Sequence, residues 1–269
     1  MKYSELTRGN RTSYHWISCI AASLLAIALG GCGGGGGDTT AADPAAGGGG
    51  GGGTGASQTV TPPSGTVQDA STFTTDQFAA LAPLGAVTSV SIASPPVVTF
   101  QVTDALGRGI KGLGFTSKRA TDLVPNLQNM SFTLAKLVPG TNGSPSKWVS
   151  YLVKQPATTT AAETLRRPSW ETFGTLVDNG DGTYKYTFYT DITTVKDAAA
   201  SLADHAGDTS YAAGLNRADL GDLTYDTTKL HRLVIRVGGN ARGTGTNTAD
   251  GSNSGVTAVP MGTQANIVF

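Results

Sequence analysis

An all-β fold is predicted: an immunoglobulin-like or Greek-key sandwich, or a split barrel, with one or two short helices and a disordered glycine-rich tether before it. Three observations predict it. Apolar and polar residues alternate with period two in several runs of five to eight residues, as half-buried strands require. Glycine, proline, asparagine and aspartate clusters separate these runs at intervals of roughly 10–20 residues, the spacing of hairpins in sandwiches and barrels. Charged residues make up only 14% of the 269 residues, well below the roughly 25% of a typical soluble domain, while threonine, serine, valine and glycine are abundant.

The first elements are not part of the fold. Lys2, Arg8 and Arg11 form a positive start, Ile17 to Leu29 an apolar stretch, and Leu29-Gly30-Gly31-Cys32 follows directly. Residues 1–31 are therefore read as a secretory signal. The tetrad resembles a bacterial lipobox, which makes Cys32 the expected lipidation site. About 13 apolar residues are too few to cross a bilayer, so an uncleaved anchor is the weaker reading. Two or three acyl chains at Cys32 would anchor stably where one would not. Gly33 stands where aspartate would mark inner-membrane retention, so the outer membrane is the expected location. Cleavage reduces 19 side chains of each charge sign to 16 basic and 18 acidic, and it leaves Cys32 as the one cysteine. No disulfide and no thiolate chemistry is then available.

Residues 32–71 are read as the tether. Of 37 glycines, about 15 fall between Gly30 and Gly55, and the remainder of the chain is close to the usual glycine content. Some 40 residues of such coil average roughly 35 Å end to end. The β domain is expected from 72 to 269. It opens with a short helical turn in Thr72 to Leu84, with Thr74 as N-cap and Phe73, Phe78 and Leu81 as its apolar residues.

Strands are expected at Val87 to Ile92 and Val97 to Thr103, with a turn at Asp104 to Gly107 leading to Gly109 to Leu113. A second pair runs from Ser131 to Val138 and from Lys147 to Val153. The third pair, Thr172 to Val177 and Thr183 to Tyr189, is joined by Asp178-Asn-Gly-Asp-Gly182. Its alternation places Tyr184, Tyr186 and Phe188 on one face and Thr183, Lys185 and Thr187 on the other. Lys196 to Ala203 is the helix candidate, and strands at Leu230 to Val237 and Gln264 to Phe269 complete the order.

Composition and motif searches exclude several functions. The charge balance lacks the basic footprint of a nucleic-acid binder, so no nucleic-acid partner is expected. The low aromatic content weakens a stacking platform for sugars or bases. The 178–182 segment has glycine at the third and fifth places of an EF-hand loop, where oxygen ligands are needed, so it is read as a turn. Gly251-Ser-Asn-Ser-Gly255 puts Asn253 where a hydrolase nucleophile belongs. His231 is read as a structural hydrogen bonder, His205 as exposed, and Arg166-Arg167 as a solvated basic patch. No glycine-rich loop has the ending a phosphate site needs. No catalytic, cofactor-binding or metal residue is therefore assigned, and the chain is not read as an enzyme.

The segments VVTFQVTDALGRGIKGL (Val97 to Leu113), RRPSWETFGTLVDNGDGTYKYTFYTDI (Arg166 to Ile192) and LTYDTTKLHRLVIRVGG (Leu223 to Gly239), with the glycine-rich lipoprotein start, resemble the N-terminal domain of the OmcA/MtrC family of outer-membrane decahaem c-type cytochromes. The likeness runs from about Ile92 to Phe269. It implies a β-rich first domain packed against multihaem domains that carry electrons to extracellular acceptors. The partners it implies are outer-membrane lipid through acylated Cys32, the multihaem domain of the same protein, and an outer-membrane porin–cytochrome complex. This sequence departs from the family in one respect. A c-type haem needs Cys-x-x-Cys-His, which is absent, so haem c is expected only in domains downstream of this chain. The expected function is a haem-free scaffold or docking domain in extracellular electron transfer. The alternative is a haem-free surface lipoprotein acting as a binding or adhesion module.

Overall fold

The computed structural model describes residues 55–205, 216–253, 255 and 259–269. The expectations for the signal (1–31), for Cys32 and for the tether as far as residue 54 concern residues outside this set. Nine strands form the two principal sheets: β1 (Gly55–Ser57), β2 (Leu84–Ser91), β3 (Val97–Thr103), β4 (Met130–Val138), β5 (Lys147–Ser150), β6 (Thr175–Asp178), β7 (Thr183–Thr187), β8 (His231–Gly239) and β9 (Val259–Val268). One sheet has the order β1-β2-β3-β7-β6 and the other β9-β8-β4-β5, and the neighbours in both pair antiparallel.

Four hairpins alternate between the sheets: β2–β3 in the first, β4–β5 in the second, β6–β7 in the first and β8–β9 in the second. Each later hairpin docks on its predecessor, β7 on β3 and β8 on β4, so the centre of each sheet is a long-range pairing. Neither sheet closes on itself, and their apolar faces meet, so the fold is a sandwich.

The alternation read in the sequence decides which side chains meet. Phe100, Tyr184, Tyr186 and Phe188 of the first sheet face Phe132 of the second. Phe132 stacks on Tyr186 at 3.7 Å between ring centroids and meets Phe100 and Phe188 edge-on at 5.7 and 6.0 Å. Both tyrosines bring a hydroxyl into this core, and both are satisfied: Tyr184 donates to the Ile110 carbonyl at 2.6 Å and Tyr186 to Glu171 Oε1 at 2.8 Å. Lys185, on the opposite face of β7, is exposed as the alternation requires.

Between β6 and β7 the turn has Gly180 and Gly182 at φ 82° and 92°. Gly182 is required twice over, because a Cβ there would lie 2.5 Å from Gly109 Cα, where the chain entering Ile110 passes the turn. The first helix, α1 (Thr75–Ala79), begins at Thr74 with a full capping box: Thr74 Oγ1 accepts from the Gln77 N–H, and Gln77 Oε1 accepts from the Thr74 N–H. Phe78 buries its ring in the core. The second helix, α2 (Val195–Ser201), covers a smaller apolar cluster with Val149, Val153, Leu165, Leu220 and Leu223.

Two expectations are corrected. The tether does not extend to residue 71, because β1 pairs with the edge of β2 and the following residues lie along the sheet. Gln68 N–H donates to the Gly109 carbonyl at 2.8 Å, Gln101 Nε2 donates to the Thr61 carbonyl at 2.7 Å, and Ala70 is buried. Backbone pairing needs no apolar side chain, so composition alone does not reveal it. The strand expected at Lys147 to Val153 ends at Ser150. Tyr151, Leu152 and Val153 are buried in succession, which an alternating strand cannot achieve, and the chain leaves the sheet before Glu171 returns to pair with Phe132.

Candidate functional site

Among the described residues three titratable side chains other than tyrosine, His231, Lys136 and Glu171, lie at buried positions, and each is committed to the fold. His231, at the start of β8, places Nε2 3.2 Å from Tyr151 Oη and packs between the Tyr151 and Phe269 rings. Burial lowers its pKa, which favours the neutral ring. It is the structural hydrogen bonder read from the sequence. Lys136, fully buried on β4, donates to Asp222 Oδ2 at 3.0 Å and to the Thr224 carbonyl. Glu171 accepts from Tyr186 Oη, from the Tyr189 N–H at 2.6 Å and from the Thr190 N–H at 3.0 Å. Burial pushes its carboxyl up, and these donors pull the other way.

The 178–182 segment is a turn whose carboxylates are already used. Asp178 accepts from the Gly180 N–H at 2.8 Å and the Gly112 N–H at 2.7 Å, and Asp181 Oδ1 accepts from the Thr183 N–H and hydroxyl at 2.8 and 2.6 Å. Asp250 and Asn253 likewise cap their own loop through the N–H groups of Ser252 and Gly255. Two sequence readings are corrected. His205 is half-buried, its N–H donating to the Leu165 carbonyl. Arg166 is half-buried rather than solvated, donating to Gln155 Oε1 at 2.7 Å and to Ser169 Oγ. Among the described residues no group of three or more His, Cys, Asp and Glu side chains is placed to hold a metal ion, and no helix is long and apolar enough to cross a membrane.

The feature that sequence reasoning missed is an open, polar cleft of about 420 Å³ beside the second sheet. Chain segments far apart in the sequence converge there, bringing Arg119, Asp122, Asn126, Gln128, Gln155 and Trp170 to its walls. Trp170 is 48% exposed, and the Arg236 guanidinium from β8 lies 5.3 Å from its ring centroid. Its backbone neighbours are fixed: the Ser169 N–H donates to the Leu152 carbonyl at 3.1 Å, and Glu171 pairs with Phe132 in both directions. The only local signal for this site was an isolated tryptophan in a loop.

A two-sheet β sandwich with a polar cleft is the class these observations define. No protein-family model and no curated protein matches the chain. Among solved structures, it is similar to the crystal structure of MtrC from Shewanella baltica OS185, with 21% identity over 70% of this chain and 22% of that one and a TM-score of 0.33. It is also similar to the crystal structure of the outer membrane decaheme cytochrome OmcA, with 17% identity over 64% of this chain and 22% of that one and a TM-score of 0.34. The chain spans about a fifth of the length of either structure. The sequence contains no Cys-x-x-Cys-His to hold a c-type haem, and the His231 ring is enclosed by Tyr151 and Phe269.

Proposed function

We propose that this chain is the membrane-held β domain of a multihaem electron-transfer lipoprotein, and that it scaffolds or docks haem-carrying domains while binding no haem itself. The observation that carries this reading is the ordered set of family-like segments together with their place in the fold. GTLVDNGDGTYKYTF forms the β6–β7 hairpin that docks on β3, and the segment from Leu223 to Gly239 supplies Thr224, which holds Lys136, and then β8, which docks on β4. The likeness therefore falls on residues that build the centre of both sheets. Anchoring would come from acylated Cys32, with the glycine-rich segment as spacer.

The test has two parts. The full chain should incorporate labelled palmitate and fractionate with the outer membrane, and Cys32→Ser should abolish both. Crosslinking in cells should join the domain to a haem-staining polypeptide or recover it as part of one. Membrane association that survives Cys32→Ser without label overturns the anchor, and recovery with no haem-staining partner overturns the scaffold. A second reading, a haem-free binding module on the same anchor, is favoured by the Trp170 cleft.

A further inference from the structure

The cleft beside the second sheet has a chemistry that selects among ligand classes. Its volume of about 420 Å³ falls within the roughly 300–1,000 Å³ of small-ligand sites, yet its walls are largely polar, unlike the predominantly apolar lining usual there. The amides on those walls are each half engaged. Asn126 Oδ1 accepts from Thr172 Oγ1 at 3.1 Å, Gln155 Oε1 accepts from Arg166 at 2.7 Å, and Gln128 Nε2 donates to the Asn126 carbonyl at 3.2 Å. The engaged half fixes each side chain. Among the described residues the Asn126 and Gln155 amide N–H groups, the Gln128 carbonyl oxygen and the Arg119 guanidinium have no hydrogen-bond partner, while Asp122 Oδ2 accepts only from the Arg119 N–H, at 3.1 Å.

A site offering both donors and acceptors suits hydroxyl groups, which are both at once. A phosphate has acceptors almost exclusively, so although Arg119 lines the cleft and the Arg236 and Arg166 guanidinia lie on its Trp170 and Gln155 walls, it would leave the Gln128 oxygen unused and meet the Asp122 carboxylate. A divalent cation would find a single carboxylate there. Trp170 adds a half-exposed indole on a backbone pinned from both sides; the Arg236 guanidinium lies over one face, so a stacking ligand would take the other, with little ordering lost. The C–H face of a pyranose packs on such a ring while its hydroxyls reach amides at the edge.

We propose that this cleft is a saccharide-binding site, with Trp170 as the stacking platform and Asn126, Gln128, Gln155 and Arg119 as hydroxyl-recognising groups. It rests on the cleft alone and stands whether or not haem domains follow the chain. The low aromatic content of the sequence argued against such a platform, but one tryptophan, correctly placed, is sufficient.

The test is binding of the detergent-solubilised full chain to a microarray of bacterial surface polysaccharides and neutral and acidic oligosaccharides, followed by isothermal titration calorimetry with the best binder, a readout that does not depend on Trp170. Sodium polyacrylate serves as a polyanion without sugar. Trp170→Ala and Arg119→Met should each weaken binding, the first at least about tenfold, while Trp170→Phe keeps part of the affinity. Unchanged unfolding midpoints separate these effects from misfolding. If Trp170→Ala fails to fold, the exposed Arg119→Met carries the comparison. Binding of no glycan on the array overturns the proposal, as does equal binding of polyacrylate or a bound glycan whose affinity neither substitution changes.

Discussion

Glu171 is the side chain whose replacement tests the architecture most sharply, because it ties the loop that carries Trp170 to the end of β7. Its carboxylate collects three donors, of which Tyr186 is fully buried and Thr190 is 3% exposed. Glu171→Ala strands them. Each unsatisfied buried donor costs about 1–3 kcal/mol, and since Tyr189 is partly exposed and water can enter the space left behind, about 2–5 kcal/mol of stability should be lost. That is a large share of the roughly 5–15 kcal/mol that keeps a domain folded. Glu171→Gln retains Oε1 but sets an amide N–H against the Thr190 N–H, a loss of about 1–3 kcal/mol.

The pH dependence separates burial from hydrogen bonding. Burial raises the native pKa above the usual glutamate value. Across the interval between the two values the native state binds more protons than the unfolded chain, so this residue's contribution falls as pH rises, by about 1.36 kcal/mol per unit. The glutamine variant lacks that slope. Urea unfolding of both proteins from pH 4 to pH 8 should therefore show the stability gap narrowing with rising pH. A gap that widens would mean that the three donors outweigh burial, and a constant gap would mean that Glu171 has the same pKa in both states.

Two further perturbations have defined outcomes. Gly182→Ala should destabilise the β6–β7 hairpin severely, because the new methyl meets the backbone at Gly109 and Ile110, whereas Gly180→Ala, at similar φ with open space around it, should cost only the left-handed penalty of about 1–2 kcal/mol; equal losses in thermal or urea unfolding would refute the close approach. The Asp222 carboxyl is held at about 2 by the Thr224 N–H and hydroxyl and then by Lys136, so its stabilisation is present above the ordinary aspartate pKa and is lost as pH falls from about 4 toward 2. Because that carboxylate is about half exposed, the acid loss should be near 1 kcal/mol, and Asp222→Asn should flatten the acid limb; an unchanged limb contradicts the hold of Thr224 and Lys136 on the ionised carboxylate.

The hairpins were legible because turn chemistry and alternation agree locally. Tyr184, Tyr186 and Phe188 alternate out of an Asn-Gly and Asp-Gly turn, and each datum points to the same register. Thr74 announces the first helix in the same way as its N-cap, and the structure adds Gln77, which completes a capping box within four residues. What escaped depends on partners distant in sequence. Lys136 occupies the inward register of Met130, Phe132 and Leu134, so the pattern puts a charge in the core, but the Asp222 and Thr224 that satisfy it lie more than 80 residues away. The strand at Gly55–Ser57 pairs through its backbone, which composition does not record. The cleft is assembled from separate segments that individually read as ordinary loops, and Trp170 gains meaning only beside Arg236 and the half-engaged amides.

The central claim is that this β sandwich serves a haem-carrying protein from a lipid anchor. It is tested most directly by reading the DNA immediately 3′ of the Phe269 codon in the source genome. An open frame running into repeated Cys-x-x-Cys-His motifs is the predicted result. A verified stop codon at that position, with no frameshift and no multihaem gene product that crosslinks to the chain, would contradict it.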